Sequence, residues 1–222
     1  MGKLKRYLRS RLGKHPDNAS PRGPSTQEHP YSWTNVPSDL RSLFSEQIAA
    51  DTKHHFMAEA IAEAGKSNLQ PTVGAVIVRD HQIIGRGHRE VVKLREAPPL
   101  WRVTHAEQAA LRSVAGDPSD ATLYVTLEPC AERFQGRTVE TAEVCSVIIP
   151  RAGISTVVIG LVDRDPMTFG KGLQRLNKAG VRLEHAYHGL EQELIALVGG
   201  GEFGVRRPKV PNIIRRWLNK WF

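Results

Sequence analysis

The chain has 222 residues, 40% of them hydrophobic and 24% charged, which suits one domain with a sizeable core plus appendages and excludes wholesale disorder. No run approaches the roughly 18 apolar residues of a membrane span, and two cysteines are too few for a disulfide-stapled secreted scaffold, so a soluble cytoplasmic protein is expected. The formal charge of +8 is uneven: residues 1–14 and 205–222 each hold six Lys or Arg and no acid, and the other 19 bases against 23 acids leave residues 15–204 near −4.

The first 14 residues begin like a signal peptide, but the required apolar stretch does not follow, so secretion is not expected. Their Arg-rich, acid-free composition leaves an organelle transit peptide open, while Arg6 stands where a myristoylation motif needs Ser or Thr. Pro, Ser, Asn and Gly then dominate to about Ser38 without apolar periodicity. Residues 1–38 therefore read as a basic, Pro/Ser-rich extension ahead of a domain over 39–201.

Leu40, Leu43, Phe44 and Ile48 recur at helical spacing, and a stronger helix follows over 51–65, with Asp51 as cap and Gly65 at its stop. The β-branched run from Val73 to Val78, the polar residues 79–82 and the run from Ile83 to Gly87 predict a hairpin. Further strands are expected at 121–126 and 156–160, each preceded by a helix, at about 105–115 and 140–151. A helix at 171–179 stopped by Gly180, a short strand over 181–185 and a last helix over 189–198 complete the alternation. Such an order predicts a three-layer α/β/α sandwich on a mixed five-stranded sheet. Residues 202–222 form a basic, aromatic tail.

Three strings bear on chemistry: Thr104 to Glu107 opening a helix, Thr126 to Cys130 closing a strand, and Cys145 near the next helix start. Singly, His105 could be a helix cap and the cysteines buried apolar residues. Together they supply what a zinc deaminase needs: one imidazole, two thiolates, an open position for water, and a carboxylate beside it that leaves the metal alone. His105 and Glu107 are about 200° apart around a helix axis, so one can ligate while the other handles protons. Cys145 at a helix N-terminus would have its thiolate favoured by the helix field. Thr126 to Pro129, including Glu128, are expected to shape the pocket through backbone groups, and the metal to lie at the N-termini of two central helices.

Over about residues 51–188 the chain resembles the zinc-dependent cytidine/deoxycytidylate deaminase superfamily. The strings LYVTLEPC, GRT at Gly136–Thr138, DxDP at Asp163–Pro166 and GKGLQRLNKAG look most like its riboflavin-pathway pyrimidine deaminase branch, as does the run from Gln70 to Gly74. The resemblance implies a zinc cofactor held by His105, Cys130 and Cys145, Glu107 as proton shuttle, Gln70 where the family has a substrate-contacting Asn, and a homo-oligomer. It also implies a hydrolase that releases ammonia from an aminopyrimidine base, nucleoside or nucleotide.

Departures are plain. Fourteen residues separate the cysteines, where the superfamily mostly has two and the riboflavin branch about eight. Glu132 replaces a family His, and the 34 residues after His188 are too few for the reductase domain that accompanies the riboflavin deaminase. His88 is the alternative ligand should Cys145 not serve. Trp101 reads as packing ahead of base stacking, and His54 and His55 as surface residues. The tail from Ile213 to Phe222 interleaves Arg and Lys with Trp and Phe, a composition for nucleic acid, an anionic surface, a partner-docking helix or a solubilising extension. The competing functions are a deaminase acting on single-stranded DNA or RNA, and a catalytically silent, zinc-stabilised nucleic-acid-binding module.

Overall fold

A computed structural model describes residues 29–95, 100–132, 143–166, 168–186 and 189–198. The tails, the GRT string and most of the loop between the cysteines lie outside these residues, as do the side chains of residues 93–95 and 100–102, Trp101 among them.

Helix α1 (Ser38–Arg41) and strand β1 (Phe44–Ser45) lead into α2 (Ala50–Ala64). Helix α2 forms because Phe56, Met57, Ala60, Ile61 and Ala64 fall on one stripe and are buried there. Strands β2 (Gly74–Arg79) and β3 (Gln82–His88) make the expected hairpin. Its turn residues Asp80 and His81 both have positive φ, 51° and 59°, the geometry whose twist suits a two-residue connection. A second hairpin follows, β4 (Glu90–Arg95) with β5 (Leu100–Thr104), which sequence reasoning missed. It runs directly into α3 (Ala106–Ser113). Strand β6 (Thr122–Leu127), α4 (Cys145–Arg151), β7 (Thr156–Leu161), α5 (Lys171–Lys178), β8 (Arg182–His185) and α6 (Glu191–Val198) complete the order.

The main sheet runs β1-β8-β7-β6-β2-β3, with β1, β8, β7 and β6 parallel and β2 antiparallel to both β6 and β3. All six residues of β7 are buried, as a central parallel strand covered on both faces requires. Helices α2 and α6 pack on one face and α3, α4 and α5 on the other. The three-layer reading holds, but the sheet has six strands where five were expected.

The sixth strand is β1, from the segment whose spacing predicted a helix. Its formation rests on Glu184 of β8, which is fully buried. The Glu184 carboxylate accepts from the amides of Gln47 (2.7 Å) and Ile48 (3.2 Å) and the Ser45 hydroxyl (3.1 Å), and pairs with Lys53 (3.3 Å). Satisfying a buried carboxylate outweighs the weak helical preference of so short a stretch. Residues 29–38, expected to belong to the linker, also pack on the domain: Val36 is in the core and Trp33 stacks on His185 at 3.7 Å.

Two glycines set the closeness of the layers around β2 and β3. A Cβ on Gly74 would lie 2.1 Å from the Ala60 carbonyl of α2, and one on Gly87 2.2 Å from the Ala110 amide of α3. Only glycine lets both helices settle onto the hairpin, and α3 carries the site.

Candidate metal centre and active site

Helix α3 starts where β5 ends, and His105 is the hinge: extended at φ −77°, ψ 156°, it precedes the first helical residue. Its amide donates to the Gln108 carboxamide oxygen (3.3 Å), and the Gln108 NH2 donates to the Glu143 carbonyl (2.9 Å) just before α4. Gln108 therefore ties the two helix starts together. A Gln three residues beyond a helix cap is a recognisable sequence signal that went unused.

Cys130 follows the end of β6, and Cys145 is the first residue of α4. The Cys145 amide donates to the Cys130 sulfur (3.3 Å) and the Ser146 amide to the Cys130 carbonyl (3.0 Å). Those contacts fasten the strand end to the helix start. His105 Nδ1 then lies 3.5 Å from each thiol sulfur, and the three atoms fall within 4.8 Å of one another. In a tetrahedral zinc site with Zn–S of about 2.3 Å and Zn–N of about 2.0 Å, the N···S edge is about 3.5 Å. The donors have the spacing and the chemistry of zinc, and no other such cluster occurs among the described residues. His88 is not part of it; its ring faces Glu63 at 3.8 Å.

Proton affinities in the cluster are interdependent. The Cys130 thiol is held down, to about 4, chiefly by the hydrogen bond with Cys145, with burial opposing and His105 assisting. Cys145 is pushed up by that same hydrogen bond, by burial and by the nearby Glu107 carboxylate. Burial pulls the His105 imidazole down, but Cys130 and Glu107 outweigh it and the net direction is upward. Glu107 is 3% exposed, and burial lifts its carboxyl to about 7 against the pull of His105.

A cavity of about 600 Å³ opens over these residues. His105, Glu107 and Cys130 line it, together with Gln70, Glu128 and Arg89. Of the four residues expected to contact substrate, Gln70 and Glu128 reach the wall and Thr126 and Pro129 do not. The Thr126 hydroxyl is turned into the sheet, where it accepts from the Gly74 amide (3.2 Å), and the Pro129 carbonyl faces Gly172 beneath α5.

Glu128 is also more committed than its sequence position implied. One carboxylate oxygen accepts from the amides of Gly172 (2.9 Å) and Leu173 (3.4 Å), the other from those of Gly170 (3.1 Å) and Asp163 (3.2 Å). Burial lifts its carboxyl to about 7 and the amides oppose this. Every one of those partners is a donor, so both oxygens serve as acceptors. Sequence reasoning missed Arg89, Tyr31 and Arg164 on the cavity wall, because nothing in their local spacing marks them.

The chain is similar to known proteins in sequence and fold. The riboflavin biosynthesis protein RibD of Synechocystis sp. is 39% identical over 129 residues, covering 58% of this chain and 30% of that protein. RibD of Escherichia coli is 38% identical over 135 residues, covering 59% and 33%. Among solved structures, a diaminohydroxyphosphoribosylaminopyrimidine deaminase/5-amino-6-(5-phosphoribosylamino)uracil reductase from Thermotoga maritima superposes with a TM-score of 0.54 at 33% identity, over 67% of this chain and 39% of that one. The chain thus spans about a third of the length of the curated relatives it matches. The family model for the cytidine and deoxycytidylate deaminase zinc-binding region matches residues 50–161, the stretch that supplies His105, Glu107, Cys130 and Cys145, and the chain belongs to that family.

Proposed function

We propose that this chain hydrolytically deaminates an aminopyrimidine, free or as a nucleoside or nucleotide, and releases ammonia. The observation that carries the reading is a buried carboxylate, Glu107, beside a His/Cys/Cys donor set on the floor of a cavity. The RibD likeness supports the pyrimidine class. Residues 39–201 form the catalytic unit in this reading, with residues 29–38 packed against it and the basic extensions beyond.

His105, Cys130 and Cys145 would hold zinc, which when bound lowers the pKa of water at its open position to about 7. The Glu107 carboxylate takes a proton from the attacking water as its oxygen adds to the amine-bearing ring carbon. It then returns that proton to the departing nitrogen. A C–O bond forms, the C–N bond breaks, and ammonia leaves with no change of oxidation state. Gln108 keeps the two helix starts in register, and Glu128 holds the strand end from which Cys130 projects.

Ammonia release from cytidine, deoxycytidylate, a riboflavin-type aminopyrimidine and single-stranded oligonucleotides, each offered to the full-length zinc-loaded protein, tests the reading. Turnover of at least one small aminopyrimidine is expected. Reaction with oligonucleotides alone would overturn it in favour of a polynucleotide deaminase.

A further inference from the structure

The cavity has two kinds of wall. Its floor comes from the family region, residues 50–161, and includes the buried Glu107. Its more exposed rim combines Gln70 and Arg89 of that region with residues outside it: Tyr31 on the N-terminal side, and Asp163, Arg164 and Asp165 after β7. Tyr31, Arg164 and Asp165 are only half-buried, so they stand nearer the mouth than the metal ligands' carboxylate neighbour.

Residues 32–35 are tied to the segment that follows β7. The Arg164 guanidinium donates to the carbonyls of Ser32 and Asn35, both at 3.2 Å, while its plane lies over the Phe169 ring at 5.1 Å. Trp33, two residues beyond Tyr31, is held by its stack on His185 and an edge contact with Phe44 at 5.2 Å. The two terminal guanidinium nitrogens each bond a backbone carbonyl and the face lies on a ring, which anchors the segment at Ser32 and Asn35. Tyr31 is consequently presented to the cavity as a fixed aromatic surface.

A cavity of about 600 Å³ suits a molecule of roughly drug size, far more than a single six-membered ring. The ring to be deaminated must reach Glu107 at the floor, so whatever the ring carries extends to the rim. On the rim, Asp163 is already occupied: its carboxylate accepts from the Asp165 amide (3.1 Å) and the Thr168 hydroxyl (2.8 Å). It is therefore a support for the loop. The Tyr31 ring is the large apolar face there, with the hydroxyl at its tip.

We propose that Tyr31 is a specificity-determining residue: its ring packs against the sugar-bearing part of the substrate and selects ribosylated aminopyrimidines over the bare base. This inference rests on the deaminase reading for the nature of the ligand. It adds a segment outside the family region to the substrate site, and it gives Arg164 the role of positioning Tyr31.

The test uses the full-length zinc-loaded protein carrying Glu107→Gln, so that binding is measured without turnover, with and without Tyr31→Ala or Tyr31→Phe. Calorimetric affinities for cytosine, cytidine, deoxycytidylate and a ribosylated riboflavin-type aminopyrimidine are compared. Tyr31→Ala should weaken the best ribosylated ligand about tenfold and leave cytosine within about twofold, and Tyr31→Phe should restore most of the loss. Melting temperature and zinc content should stay at the parent values. Equal weakening of base and nucleoside, unchanged affinity for both, or no binding by any ribosylated ligand with Tyr31 intact overturns the proposal. Failure of the deaminase reading shows separately, as absent ammonia release with Glu107 restored.

Discussion

Glu128→Gln tests whether the carboxylate after β6 holds the fold or the substrate. The substitution keeps size and shape but turns one acceptor oxygen into an NH2 donor. Whichever way the amide is turned, it faces two backbone N–H groups: Gly172 and Leu173, or Gly170 and Asp163. Each buried donor left without an acceptor costs about 1–3 kcal/mol. Each pair includes one of the longer contacts, at 3.4 or 3.2 Å, so the lower half of that range applies and the total is about 2–4 kcal/mol. At this chain length 1 kcal/mol moves Tm by about 2–4 °C, so the zinc-loaded variant should melt about 5–15 °C below the parent. Its KM should stay within about twofold, because the oxygens are spent on amides. A Tm within about 1 °C of the parent together with a raised KM would refute this reasoning and make Glu128 a substrate contact.

Two further outcomes follow from buried ionisable groups. Glu184→Ala removes the carboxylate that holds β1 and leaves Lys53 and the amides of Gln47 and Ile48 without it; urea unfolding should show a loss of about 3–5 kcal/mol, and a loss under about 1 kcal/mol would contradict the account of the sixth strand. Burial, and then the nearby Glu184, push the Tyr124 phenol up to about 12, against about 10 unfolded. The folded state therefore binds the extra proton between these values, and stability should fall as pH rises through that window. Ultraviolet titration of phenolate should show Tyr124 resisting ionisation above pH 10 until the protein unfolds.

Most of the chemistry was legible because it is carried by residue types with few alternative uses. A His, a Glu two residues on, and two lone cysteines at a strand end and a helix start specify a donor set, and the structure brings His105, Cys130 and Cys145 together. The long helix and the first hairpin were legible because their periodicity is strong and their turns are local. Strand β1 was not, since two residues carry no period and its partner Glu184 is 139 positions away from Ser45. The hairpin β4–β5 carries Glu90, Lys93, Arg95 and Arg102 among its apolar residues, which blurs the strand pattern. Gln70 and Glu128 line the cavity, whereas Thr126 and Pro129 are not among its lining residues. Strand alternation turns neighbouring side chains to opposite faces, and the residues flanking a site need not line it. Tyr31 and Arg164 reach the cavity through contacts between distant segments, which no local pattern records.

Zinc content and ammonia release, measured side by side for the parent, Cys145→Ser and Glu107→Gln, test the metal centre and its carboxylate most directly. About one zinc per chain is expected in the parent and in Glu107→Gln, and loss of most of the metal in Cys145→Ser. Turnover should fall at least about a hundredfold in Glu107→Gln although its metal is retained. Full zinc and full activity in Cys145→Ser would contradict the assignment of His105, Cys130 and Cys145, and undiminished turnover in Glu107→Gln would remove the proton shuttle on which the mechanism depends.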